Sequence, residues 1–252
     1  MRRSNGKIMD VDAARRIIVA LDFDTAGDAE AIVARLGDAG QAYKIGLELL
    51  TAAGPALAAR LAAEGKDVFL DLKLFEIPTS VAGAVRAAGR LGATMVTVHA
   101  MAGIRIMEAA VRAAADFPQL RVIALTVVTS LTDADLADVG VRATTAEQVP
   151  RLARLTRHAG CHGVVASAQD AATLREHLHP GMLIVTPGVR LRAELAGQAA
   201  TEHARPADPV AAIRAGASHI VIGRSLTRAP DPATVLADLT DELGNIAATR
   251  RG

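Results

Sequence analysis

The chain of 252 residues has no tryptophan, one tyrosine, four phenylalanines and one cysteine. With aromatics at 2%, stacking platforms for bases or sugars are scarce. The lone Cys161 rules out an intramolecular disulfide and fits a reducing, cytoplasmic setting. No apolar run approaches the roughly 20 residues of a membrane span. The basic start, Met1-Arg2-Arg3-Ser4-Asn5-Gly6-Lys7, lacks the apolar segment of a signal peptide. Neither sign of charge dominates: the formal net is +1, which gives no case for nucleic acid or an anionic membrane as the main partner. No Gly-x-Gly-x-x-Gly follows the first apolar run, which argues against a dinucleotide site.

What is present is a regular alternation. Short apolar, β-branched runs predict strands at Ile17–Asp22, Tyr43–Leu47, Val68–Lys73, Met95–His99, Val122–Val128, Gly163–Ser167, Leu183–Thr186 and Ile220–Gly223. Amphipathic stretches between them predict helices at Ala29–Asp38, Gly54–Glu64, Val81–Leu91, Ile104–Ala115, Val149–Ala159, Ala171–His177, Pro209–Ala215 and Pro232–Leu243. Strands that are apolar on both faces belong to parallel sheets covered by helices. Eight strand–helix units in this length predict an α/β fold, a (β/α)₈ TIM barrel in a single domain, with residues 1–14 as a flexible N-terminal extension. A doubly wound open sheet is the alternative. The longest irregular stretch, Gly188–Asp208, follows the seventh strand, and loops of that length are often functional.

Barrel enzymes carry their chemistry at the C-terminal ends of the strands. Here those ends hold Asp22, Lys44, Asp71 with Lys73, His99, Thr129 with Ser130, Ser167, Arg190, and Gly223 with Arg224. Alternation along a strand puts Asp71 and Lys73 on one face, and Glu76 follows where the chain turns. Burying unpaired charges costs several kcal/mol each, so packing alone seldom places three together. A surface salt bridge is the plain alternative for this segment taken by itself; the polar residues at the other strand ends favour an active site. Thr186-Pro187-Gly188-Val189-Arg190 and Ile222-Gly223-Arg224-Ser225 follow the last two strands, where phosphate is frequently bound. His158, Cys161 and His162 cluster at the opposite, non-catalytic end and number too few for a metal site. His99 reads as a packing or supporting residue.

Taken together, Ala20-Leu21-Asp22, Tyr43-Lys44-Ile45-Gly46, Asp71-Leu72-Lys73 with Ile77-Pro78, Val98-His99-Ala100, Thr126-Val127-Val128-Thr129-Ser130, Thr186–Arg190 and Val221–Arg224 resemble the orotidine 5′-phosphate decarboxylase family over nearly the whole chain. The resemblance implies decarboxylation of orotidine 5′-phosphate (OMP) to UMP in pyrimidine biosynthesis, without metal or cofactor. It implies that Lys73 protonates C6, that Asp71 sits beside the substrate carboxylate, and that Asp22 and Lys44 hold ribose hydroxyls, Lys44 also joining the charge array. Thr129 and Ser130 would contact the pyrimidine, and Arg190, Gly223 and Arg224 the phosphate. Glu76 and Ser80 would reach into the neighbouring subunit's site, so a homodimer with shared active sites is implied.

Two departures stand out. The family usually has His-Asp where this chain has Phe75-Glu76, and Asn-Thr where it has Thr79-Ser80. Glu76 keeps the charge with one methylene more; activity is expected to survive with altered local geometry. The family's glutamine that touches pyrimidine and phosphate is matched chemically by Gln198, while counting back from Pro209 puts His203 near that place; Gln198 is favoured. Two rivals remain: a Mg²⁺-dependent sugar-phosphate decarboxylase or aldolase, which shares Asp-x-Lys, and a barrel that binds a nucleotide without turning it over.

Overall fold

Period-two alternation divides each strand between two cores. In the computed structural model, which describes residues 11–191 and 207–249, eight parallel strands close into a barrel in sequence order. They are β1 Ile17–Ala20, β2 Ala42–Gly46, β3 Asp67–Leu74, β4 Met95–His99, β5 Arg121–Leu125, β6 Gly163–Val165, β7 Leu183–Val189 and β8 His219–Ile222. β8 returns to pair with β1 and completes the closure. Val19, Tyr43, Ile45, Leu70 and Val96 face outward into the layer beneath the helices. Ile18, Ala20, Phe69, Leu125, Val165 and Val221 face inward and fill the barrel. The barrel prediction holds, and the open sheet is excluded by the β1–β8 pairing.

The differences from the sequence reading lie at element ends. β1 stops at Ala20 and β5 at Leu125, each short of the predicted end. β7 runs three residues past Thr186, across a register shift between Thr186 and Val189 where Gly188 takes φ +72°. Short helices at Leu47–Ala53, Asp133–Asp138 and Arg224–Thr227 were not foreseen, being too brief to show a period. The helix predicted from Val149 begins at Thr145 and runs through Pro150, started by a reciprocal cap in which Thr144 and Glu147 satisfy each other's backbone N–H. Ser167 is the N-cap of the helix Ala168–His177, accepting from the Asp170 N–H, so it supports rather than lines the site.

The expected extension over 1–14 needs correcting at its end: Val11–Arg15 is a helix, with Ala13 and Ala14 buried. Their small side chains let this turn seat against the body of the protein. No helix among the described residues is long and apolar enough to cross a membrane.

At the stretch after β7, Arg190 N–H donates to the Ala207 carbonyl at 3.0 Å, and Val189 and Ala207 form a parallel bridge. Both ends of the intervening chain are therefore tied to the barrel rim.

The opposite end of the barrel carries a pH-sensitive group. His219 opens β8 beside Ser218, with Nδ1 3.0 Å from the Ser218 hydroxyl. Burial, and then the nearby Arg16 charge, push its pKa down from 6.5 to about 4. The unfolded chain takes up this proton below about 6.5 while the folded chain refuses it until about 4. Stability is therefore whole above pH 6.5 and declines as pH falls toward 4. Water still reaches part of the ring, so the loss is expected to be about 2 kcal/mol. Urea melts at pH 7 and pH 4.5 on wild type and His219→Gln should show the variant losing about that much less across the interval; parallel losses would contradict it.

Candidate active site

The inward faces of β1, β2 and β3 become polar one layer above the apolar filling. Ile18 and Ala20 are followed on the same face by Asp22, Ala42 by Lys44, and Phe69 by Asp71. Register aligns Ala20 with Lys44 and Gly46 with Asp71, so the charged groups come out side by side. Lys44 Nζ donates to Asp22 Oδ1 at 2.7 Å and stands 3.9 Å from Asp71 Oδ2. Lys73 Nζ donates to the same Asp71 oxygen at 2.8 Å. The result is an alternating row, Asp22–Lys44–Asp71–Lys73. Lys44 and Asp71 are its most enclosed members, with side chains 12% and 14% exposed. Neighbouring opposite charges offset the cost of desolvating each.

Simple alternation does not explain Lys73. Its backbone has φ +49°, the left-handed region, and it is the sole non-glycine residue there among those described. The β3–β4 register shifts between Leu70 and Leu74, so Lys73 sits in a bulge. For a residue with a Cβ this conformation costs roughly 1–2 kcal/mol. The bulge is held by Thr97 of β4, which is wholly buried. Thr97 Oγ1 accepts from Lys73 N–H at 2.8 Å and donates to Asp71 Oδ1 at 3.0 Å. One hydroxyl thus fixes both the strained backbone and the carboxylate that receives the lysine. Strained backbone of this kind clusters at active sites and ligand clamps. The sequence reading missed Thr97, although a threonine inside Val96-Thr97-Val98 is a polar residue in an otherwise apolar strand.

The row opens into a cavity of about 770 Å³ at the C-terminal end of the barrel. Its floor is apolar: Ala20, Phe69, Leu125, Val165, Val185 and Val221. Asp22, Lys44, Asp71 and Lys73 line it, as do Thr129 and Ser130 from the segment after β5. Arg190, Gly223 and Arg224 line it from the segments after β7 and β8. Nine of the residues singled out in the sequence therefore share one space. Two others do not: Glu76 and Ser80 are exposed and outside the cavity of their own chain, with Glu76 Oε1 accepting from Ile77 N–H at 2.6 Å. Gln198 and His203 fall outside the described residues. Ser225, the last residue of the Ile222–Ser225 segment, also lines the cavity, and Arg228 does so without having been anticipated, because it ends the short helix Arg224–Thr227.

His99 supports the rim. Its Nδ1 accepts from Met101 N–H at 3.2 Å, and its ring lies 5.7 Å from that of Phe75. Burial, then the Lys73 charge, lower its pKa, which favours the neutral ring that this accepting bond requires. Cys161 is buried with its thiol pushed up to about 12, and His162 Nδ1 accepts from Val122 N–H. Among the described residues no group of three or more His, Cys, Asp or Glu is arranged to hold a metal ion.

The arrangement can do two things at once. Arginines and a glycine edge at one end suit a phosphate. Two ammonium groups over an apolar floor at the other suit an anion or carbanion generated away from water.

Comparison with known proteins agrees with this geometry. A sequence model described as the orotidine 5′-phosphate decarboxylase / HUMPS family matches residues 15–239. The orotidine 5′-phosphate decarboxylase of Halorhodospira halophila is 46% identical over 236 residues, covering 93% of this chain and 98% of that protein. The protein of the same name from Laribacter hongkongensis is 47% identical over 233 residues, covering 92% and 93%. The crystal structure of orotidine 5′-phosphate decarboxylase from Lactobacillus acidophilus superposes with a TM-score of 0.80 at 33% identity, covering 91% of this chain and 99% of that one.

Proposed function

The chain belongs to the orotidine 5′-phosphate decarboxylase / HUMPS family, and from that we propose that it is the carboxy-lyase that converts OMP to UMP and carbon dioxide in pyrimidine biosynthesis. The observation that carries the reading is Lys73: a strained lysine aimed by Asp71 and Thr97 at a cavity with arginines at its far end.

In this reading Arg190, Arg224 and the backbone at Gly223 take the phosphate, and Asp22 and Lys44 take the ribose hydroxyls. Thr129 and Ser130 take the pyrimidine edge, with Gln198 as the candidate link between base and phosphate. The substrate carboxylate lies toward Asp71. The C6–carboxylate bond breaks, its electron pair stays on C6, and carbon dioxide leaves. Lys44 and Lys73 stabilise the developing charge, and the Lys73 ammonium delivers a proton to C6. Lys73 then regains a proton from water. The reaction needs no electron acceptor, so the chain's own groups suffice. Phosphate binding, remote from C6, supplies energy to hold the reacting end in place.

Incubation with OMP tests this directly. Loss of the substrate's ultraviolet absorbance, undiminished by EDTA, is expected; no turnover, or turnover abolished by EDTA, would refute it.

Assembly as a homodimer belongs to the same proposal. Leu47, Phe75 and Ile77 are 57%, 61% and 59% exposed, and all three follow the adjacent strands β2 and β3. Glu76 and Ser80 stand among them, outside their own cavity, where a second subunit would bring them to its site. Large apolar groups gathered at one rim are typical of a buried contact. Phe75→Asp is expected to shift the protein to monomer in sedimentation and to lower specific activity at low concentration. A wild type that sediments as a monomer at micromolar concentration would overturn it.

A further inference from the structure

Arg228 is the cavity's third guanidinium, and the reaction described above leaves it without a task. It ends the helix Arg224–Thr227, and its N–H donates to the Arg224 carbonyl at 3.0 Å. Arg224 and Arg228 are thus one helical turn apart on the same side, and both line the cavity together with Arg190.

The position is built from behind. Arg35 donates to the carbonyls of Ala229 and Pro230, at 3.0 Å each, and so clamps the chain immediately after Arg228. Asp231 caps the next turn through Thr234 N–H and Oγ1. The Arg228 backbone is therefore fixed, while its exposed side chain has no ion-pair or hydrogen-bond partner among the described residues. A monophosphate offers three terminal oxygens, each of which two forked guanidinium groups and a backbone edge can engage. Arg228 is a third fork lining the same cavity, available to an oxygen beyond those three. The cavity, at about 770 Å³, lies in the upper half of the range usual for small-molecule sites and leaves room beyond one phosphate.

We propose that the phosphate end accepts a pyrimidine nucleoside 5′-diphosphate, with Arg228 on the β-phosphate, so that such a nucleotide competes with the substrate. The inference rests on the reading of this cavity as a pyrimidine nucleotide site. Titration calorimetry with UMP and UDP, at one ionic strength, on wild type, Arg228→Ala and Arg228→Lys separates the two. UDP is expected to bind the wild type in competition with UMP. The ratio of Kd for UDP to Kd for UMP is expected to rise about tenfold in Arg228→Ala, the loss of a charged hydrogen bond, and to be partly restored in Arg228→Lys. UMP binding with a ratio that rises less than about threefold overturns this inference alone. Failure of the wild type to bind UMP overturns the nucleotide reading and the inference with it.

Discussion

Lys73→Ala is expected to leave a folded barrel that still binds UMP and to lower kcat for OMP by about 10⁴-fold, the upper range for removing a positioned acid. The ammonium is 2.8 Å from Asp71 and 40% exposed, so its removal empties no core. The neighbouring Lys44 cannot substitute, since Asp22 holds it at 2.7 Å on the other side of Asp71. Alanine bears the same left-handed strain as lysine, so the fold should tolerate the change without relief. Lys73→Gly should be equally inactive yet about 1 kcal/mol more stable than the alanine variant, because glycine takes φ +49° without penalty. Turnover followed by absorbance and thermal melts of the pair would check both halves. Substantial activity in either variant would displace Lys73 from the chemistry.

Thr97→Val should lower kcat by about 10²-fold, the scale of a misplacement near 1 Å, with UMP affinity nearly preserved. The change keeps the shape and deletes one hydroxyl. Lys73 N–H loses its acceptor and Asp71 Oδ1 loses a donor, at 2.8 and 3.0 Å respectively. An enclosed N–H left unpaired costs about 1–3 kcal/mol, so a stability loss near 2 kcal/mol should accompany the rate loss. The bulge can also relax toward an ordinary strand, which would turn the lysine away from Asp71. Thr97→Ser supplies the control, because it retains the hydroxyl and should recover most of the rate. Equal kcat in Thr97→Val and wild type would show that the lysine is aimed by something else.

Much of this site can be read without coordinates, and the reasons differ by residue. Asp22, Lys44 and Asp71 are legible because each continues the inward face of a strand by the two-residue period, and period survives in sequence. Arg190 and Arg224 are legible because they follow the last two strands of a counted barrel. Asp71 and Lys73 were expected together on the strength of alternation alone. They do meet, but through a bulge that alternation does not contain. Thr97 was missed because its role depends on which residue of β3 it faces, and register between strands more than 20 residues apart leaves no local trace. Arg228 was missed because a four-residue helix has no period to detect. Glu76 was foreseen as an acid near the turn, and it stands there exposed, outside the cavity of its own chain.

The tie between Arg190 and Ala207 bears on how this scaffold can change over time. Two backbone points at the rim, on either side of residues 192–206, are pinned across a parallel bridge. Doubling the length of a closed segment adds only about 0.6 kcal/mol of closure entropy. Insertions and deletions there can accumulate at little thermodynamic penalty while Arg190 stays in register with the barrel. The stretch between these anchors is thus a natural place for exchange between relatives, and for grafting a segment of different length onto an unaltered reaction centre.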